Sequence, residues 1–223
     1  MSDYYPVFLD VRGKRCVVVG GGEVALRRVK GLLQHGANVV VVSPELCSPL
    51  NRLAGGGTIS VCHKEYTPGD LKNAFIVIAA TDDVDVNIRV VKEARRKRIP
   101  VNVVDNLEQS DFILPSSLNR GDVTVAVSTA GKSPALARKI RTHLEEIISP
   151  EYASLVQLIG EVRSELKAKG IVVDGNTWQE AIELGSLLDL LQGGHREQAK
   201  ANLLNNLGVN KGITTHNENS YFV

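Results

Sequence analysis

Two kinds of apolar pattern alternate along the chain. RCVVVG at 15–20 is a continuous β-branched run, the mark of a strand covered on both faces in a parallel sheet. After GGG, the stretch 23–35 carries Val24, Leu26, Val29, Leu32 and Leu33 at helical spacing, and Gly36 is placed to end that helix. ANVVVVS (37–43), TISVCHK (58–64) and AFIVIAA (74–80) predict three more strands. The stretch 81–99 predicts a helix, opened by the capping residues Thr81, Asp82 and Asp83 and closed on basic residues. VNVVD at 101–105 predicts a fifth strand that ends on an acid, Asp105.

Strands alternating with helices specify βαβ units with right-handed crossovers, so residues 1–113 read as the Rossmann-type half of an α/β protein. The texture then changes. Residues 114–129 offer a Gly-Asp turn and an alternating strand at 123–129, and 130–148 a helix with Pro134 in its first turn. This segment, 114–149, is followed by a helical domain over 150–223, with helices expected at 151–170, 176–194 and 195–208 and a loose tail at 211–223.

Composition narrows the class. Hydrophobic residues make up 43% and charged residues 23%, as in soluble globular proteins. The formal net charge is +1, so nothing global draws nucleic acid, and an anionic partner must be met by a local patch. No basic stretch leads into an apolar one at the N-terminus, and no apolar run nears the roughly 20 residues of a membrane span, which points to a cytoplasmic protein without membrane contact. Cys16, Cys47 and Cys62 form no CxxC pair and are expected to pack as small buried groups. The five histidines show no HExxH spacing, so no metal site is expected.

The turn after the first strand carries the chemistry. Gly20, Gly22 and Ala25 match the G-x-G-x-x-G/A fingerprint: one glycine for the tight turn, one for close approach of a pyrophosphate, a small residue for helix packing. Gly21, Glu23 and Val24 complete the turn and open a helix whose free N–H groups face phosphate. Glycine turns also join strands to helices for steric reasons, but the position after the first strand and before the first helix favours dinucleotide binding. The second strand ends at Ser43 and Pro44 with Glu45 beyond, and no arginine comes before Arg52, which favours NAD over NADP. Thr81 and Asp82 fall near the nicotinamide side, a position that capping explains equally well, and Asn102 on the fifth strand completes the expected cofactor set.

These segments resemble a known family over nearly the whole chain: the precorrin-2 dehydrogenase / sirohydrochlorin ferrochelatase family, found also as the N-terminal module of siroheme synthase. YPVFLDVRGKRCVVVGGGEVALRR, AATDDVDVN, VNVVDN and DFILPSSLNRGDVTVAVSTAGKSPALARKIR carry the resemblance, the last most specifically. It implies oxidation of precorrin-2 to sirohydrochlorin with NAD as acceptor, and a homodimer paired through the segment after the Rossmann half. It also implies terminal helices that help enclose the tetrapyrrole. Some members insert ferrous iron, and nothing in this sequence decides that activity. In the family the aspartate of the VNVVD segment is implicated in catalysis, which here is Asp105. The serine matching Ser128 lies near the substrate and is phosphorylated in some members.

Oxidising precorrin-2 removes a hydride from a ring carbon and a proton from the macrocycle, so a positioned base is needed. Partial burial at a strand end would raise the carboxyl of Asp105 and suit it to that role. Spacing alone leaves a turn-capping aspartate equally open; the resemblance implies the base. A substrate rich in carboxylates wants cations, for which Arg120, Lys132, Arg138, Lys139, Arg141 and His143 are candidates, with Ser128, Lys132 and Arg138 the expected substrate contacts. A solvated helix face is the competing explanation.

Two other classes remain for comparison. A nucleotide-sensing regulatory module would need neither the carboxylate on the fifth strand nor STAGKSP. A reductase of small carbonyl compounds would want a Lys, His or Tyr acid at a recognisable place, and none is seen. With 223 residues used by these parts, a methyltransferase module is expected on another protein.

Overall fold

The apolar runs of the N-terminal half build one parallel sheet. In the computed structural model, which describes residues 4–209, the runs become β1 (Arg15–Val19), β2 (Asn38–Val42), β3 (Ser60–Cys62), β4 (Ile76–Ala79) and β5 (Val101–Val103). They lie in the order β3-β2-β1-β4-β5, and every neighbouring pair is parallel. Helices α1 (Glu23–Gln34), α2 (Ser48–Gly55) and α3 (Val84–Arg96) make three of the four connections, and the crossover from β3 to β4 carries no helix. This is the α/β Rossmann-type architecture expected.

Alternation within each strand divides the core in two. Cys16, Val18, Val39, Val41, Ile76 and Ile78 meet Ala25, Leu26, Val29 and Leu32 of α1 and Leu50 of α2. The opposite face, with Val17, Val40, Val77, Val101 and Val103, meets Val90, Val91 and Ala94 of α3. Each fully buried valine contributes roughly 1.5–3 kcal/mol of transfer free energy, which is why these strands read as unbroken apolar runs. Burial also pushes the Cys16 thiol up to about 11, the behaviour of an inert packing group.

One charge sits inside this half. Glu93 of α3 is 4% exposed. It accepts from the hydroxyl of Tyr66 and the Gly69 N–H at 3.0 Å, and pairs with Lys97 at 2.7 Å. Several donors on one carboxylate offset the cost of removing it from water.

The structure differs from the sequence pattern at several places. The fifth strand stops at Val103, so Asp105 lies in the turn beyond it and not at the strand end. The third and fourth strands are shorter than their apolar runs. Helix α2 occupies a stretch where the pattern predicts no element, with Pro49 in its first turn.

The chain divides into two units, Met1–Leu114 with Ala130–Lys132, and Pro115–Thr129 with Ser133–Val223. The second opens with an antiparallel hairpin of β6 (Ser116–Arg120) and β7 (Val123–Val127). Burial alternates along β6, but Leu118 is its one buried residue and the half-buried positions are Ser116 and Arg120, so the sequence displays no apolar alternation. Then come α4 (Pro134–Ile147), α5 (Glu151–Ala168), α6 (Gly175–Ala181), α7 (Leu184–Gln192) and α8 (Arg196–Asn206). Ser133 caps α4 by accepting from the Leu136 N–H. Leu155, Leu158, Val162, Leu166, Leu187 and Leu203 form the helical core.

The single helix expected over 176–194 is broken at Ile182 and Glu183, where ψ is 82° and 92°. Asn206 of α8 donates to the Ala181 carbonyl at 3.1 Å, satisfying one acceptor that the break releases. No described helix is long and apolar enough to cross a membrane. The tail expected at 211–223 lies outside the described residues.

Candidate functional site

Strand register sets the site. Val42, Val19, Ala79 and Val103 are paired in sequence across the sheet, making one row at its carboxyl edge. Gly20, Ser43, Ala80 and Val104 therefore leave the sheet side by side. The chain runs from β1 outward to β3, then returns to β4 on the other flank of β1, so the crevice between β1 and β4 is the topological switch point where open α/β sheets bind ligands.

The three glycines of the turn have different reasons to be glycine. Gly20 has φ +126°, and a β-carbon there would stand 2.2 Å from the Ala80 carbonyl oxygen at the exit of β4. Gly21 has no room either: its β-carbon would meet the Glu45 carbonyl oxygen at 1.8 Å, and its own carbonyl accepts from the Cys47 N–H at 2.8 Å. Gly22 faces open space and precedes α1 without a capping side chain. The first intrahelical donor is the Leu26 N–H, bonded to the Gly22 carbonyl, so the N–H groups of Glu23, Val24 and Ala25 have no helical acceptor and can meet an anion. Ala25 is fully buried, as close packing of helix on strand requires.

Ser43 is 7% exposed and donates to the Glu45 carbonyl at 2.6 Å. Its hydroxyl hydrogen thus holds the loop after β2, while Pro44 and Glu45 are exposed. Thr81 receives the Asp83 N–H, and Asn87 donates to the Thr81 carbonyl at 2.9 Å. Asp83 supplies the cap of α3, accepting from the Val86 N–H, which leaves Asp82 exposed at the edge. Asn102 pairs with Ile78, one residue inside the edge. It is 6% exposed and donates to the Phe112 carbonyl at 2.8 Å, tying the returning chain to β5.

Asp105 is the third residue of a turn closed by the Asn106 N–H on the Val103 carbonyl at 3.2 Å. Its φ is +59°, where glycine or asparagine is usual in a type II turn. A left-handed backbone costs an L residue roughly 1–2 kcal/mol, and such outliers cluster at functional sites. The expectation of partial burial is corrected: Asp105 is exposed, because the strand ends before it. A neighbour that the sequence did not reveal is Arg28 of α1. Burial and the adjacent Arg27 hold its guanidinium below the usual arginine range, and the Asp105 carboxylate pulls it back up. The Arg28 Nε is buried without a hydrogen-bond partner among the described residues.

Gly131, with φ +77°, packs where its β-carbon would stand 2.0 Å from Leu107. The turn Ala130–Lys132 therefore belongs with the segment just after Asp105, and Lys132 shares the first unit with it. Ser128 and Arg138 belong to the second unit, both exposed. Of the other candidate cations, Arg120 donates to the Ile148 carbonyl at 3.0 Å, Arg141 pairs with Glu145, and His143 lies 3.6 Å from Glu146. Lys132, Arg138 and Lys139 are exposed and make no ion pair with a described residue. Among the described residues no three His, Cys, Asp or Glu side chains form a group that could hold a metal.

A glycine turn, bare helix amides and a switch-point crevice define a nicotinamide-dinucleotide-binding protein of Rossmann type. A family model described as NAD(P)-binding matches residues 7–116, and one described as sirohaem biosynthesis protein central matches 120–147. The two matches follow one another along the chain, the first over the parallel-sheet half and the second from the end of β6 through α4.

Siroheme synthase of Nitrosospira multiformis is 41% identical over 204 residues, which cover 89% of this chain and 43% of that protein. Siroheme synthase of Nitrosococcus oceani is 40% identical over 202 residues, covering 90% and 43%. The chain thus spans less than half the length of these curated relatives. The solved structure of SirC, a precorrin-2 dehydrogenase, is similar over 92% of this chain and 100% of its own, with a TM-score of 0.64 and 27% identity.

Proposed function

We propose that this chain oxidises precorrin-2 to sirohydrochlorin with NAD as acceptor, as a step of siroheme biosynthesis. The observation that carries the reading is the in-register row of strand ends that brings the glycine turn and Asp105 to one edge of the sheet. The likeness to SirC over its full length supports the reaction, and the siroheme synthase relatives support the pathway. These likenesses give the nucleotide-sensing alternative no support.

The residues fit a dinucleotide. Gly22 leaves space that a β-carbon would fill, beside helix amides that lack acceptors. Gly20, Gly21, Gly22, Glu23 and Val24 are assigned to the pyrophosphate, Ser43 and Pro44 to the adenosine ribose, and Thr81 and Asp82 to the nicotinamide side, with Asn102 completing the cofactor set. NAD is preferred over NADP because the loop after β2 offers Glu45 and no arginine before Arg52. When bound, the nicotinamide supplies the hydride acceptor.

Asp105 accepts the proton that leaves the macrocycle as the hydride departs. Its exposed carboxylate is open to a large substrate. Lys132 meets a substrate carboxylate from the same unit as Asp105, and Ser128 and Arg138 keep the substrate role assigned by resemblance. Ferrous iron, if a substrate of a second step, would meet Asp105 as base for the pyrrole protons. Pairing of two chains is proposed through the segment 114–149, where Leu136, Ile140 and Ile147 of α4 expose apolar surface.

The test supplies precorrin-2 and NAD to the purified chain and follows NADH and the sirohydrochlorin spectrum. NADH formation matched by sirohydrochlorin is expected, with lower kcat/KM for NADP. No NADH above background overturns the reading.

A further inference from the structure

Ser110 stands where the chain after β5 folds back along that strand. Its Oγ accepts the Val103 N–H at 2.9 Å and lies within donating distance of two carbonyls, Asn106 at 2.7 Å and Val103 at 3.2 Å. A hydroxyl has one hydrogen to give, and the shorter contact marks Asn106 as its acceptor. Val103 and Asn106 are the first and last residues of the turn whose third residue is Asp105. One side chain therefore bridges both ends of that turn.

Neighbouring residues steady Ser110. The Asp111 carboxylate accepts from the Val101 N–H at 3.0 Å, and the Asp111 N–H donates to the Val101 carbonyl at 2.7 Å. The Asn106 side chain accepts from the Gln109 N–H at 3.1 Å, closing the loop from its other end. Aspartate enters the left-handed region more readily than most residues, and bonds at the ends of the turn decide how firmly Asp105 is held there. The turn's own backbone bond, at 3.2 Å, is at the long end of the normal range, and Ser110 supplies the second closure.

We infer that Ser110 is a positioning residue for the proposed reaction: it clamps the turn that presents the Asp105 carboxylate to the substrate. The inference rests on the reading of Asp105 as the base. Ser110 itself takes no proton from the substrate.

Ser110→Ala removes the clamp and Ser110→Thr keeps it. The alanine variant is expected to lose about ten- to a hundred-fold in kcat, the range that misplacing a reacting group produces. Its KM for NAD should stay within about twofold, because the glycine turn lies elsewhere, and Ser110→Thr should recover most of the rate. In an Asp105→Asn background, Ser110→Ala should cost nothing further, as residues acting through one group are not additive. Hydrogen exchange of the Asn106 amide should quicken at least about tenfold in Ser110→Ala, with the amides of β1 and β4 unchanged. Should the alanine variant not fold, the isosteric pair Ser110→Thr and Ser110→Val carries the same comparison. A wild-type kcat, a full further loss in the Asp105→Asn background, or an unchanged Asn106 amide overturns the clamp. A wild-type chain inactive on precorrin-2 overturns the reaction instead, and the amide still decides whether Ser110 holds the turn.

Discussion

A β-carbon on Gly21 would stand 1.8 Å from the carbonyl oxygen of Glu45 and 2.6 Å from the hydroxyl of Ser43. The middle glycine of the turn is thus the joint between the two loops that leave β1 and β2. Gly21→Ala must push the second loop away or distort the first. A loss of about 1–3 kcal/mol in stability is expected, as for overpacking elsewhere, with NAD affinity weakened at least about tenfold. Thermal unfolding and NAD titration measure both; unchanged values would show that the two loops are not locked together.

Ser43→Ala tests the same joint from the other side. The variant loses the bond to the Glu45 carbonyl but leaves the glycine turn intact. KM for NAD should rise by several-fold while kcat changes little, the pattern of lost uniform binding. Steady-state kinetics with varied NAD provide the check.

Asp105→Asn separates charge from shape. Asparagine tolerates the left-handed backbone as well as aspartate does, so stability should stay within about 0.5 kcal/mol. Loss of a general base should lower kcat by about 10²–10⁴-fold, with NAD binding retained. NADH formation, a denaturant curve and NAD titration together distinguish this outcome from misfolding.

Glu93 predicts an acid limb in the stability profile. Burial pushes its carboxyl up, but bonds from Lys97, Tyr66 and the Gly69 N–H outweigh burial and leave it below its ordinary value of 4.5. A carboxyl depressed in the folded state stabilises above its unfolded value and loses that contribution as pH falls through the folded value. Stability should therefore decline on acidification below about pH 4.5, and Glu93→Gln should flatten that decline. The variant should also be about 1–3 kcal/mol less stable near neutral pH, since Lys97 and the other donors lose a charged acceptor. Denaturant midpoints across pH give the comparison.

The parts of the fold visible in the sequence are those set by local burial. Val17, Val18 and Val19 read as a doubly covered strand because both sheet faces bury them, and the glycine turn followed from its place after that strand. Strand β6 was hidden because a single apolar residue among polar ones makes no alternating pattern. The break at Ile182 and Glu183 was hidden because its partner, Asn206, lies far along the chain. The same distance effect governed the site. Arg120 looked available to a substrate, yet its guanidinium serves the Ile148 carbonyl. Asp105 was legible as an acid near a strand end, but its left-handed turn depends on bonds from residues that follow it.

The two flanks of the sheet end in strands of three residues each, β3 and β5. At β5, Ser110 and Asp111 occupy the outward N–H groups of Val103 and Val101. An incoming strand from another molecule would find those donors already taken. This flank thus resists the strand-to-strand addition through which bare sheet edges aggregate, and the residues that shape the turn of Asp105 also help keep the protein from polymerising.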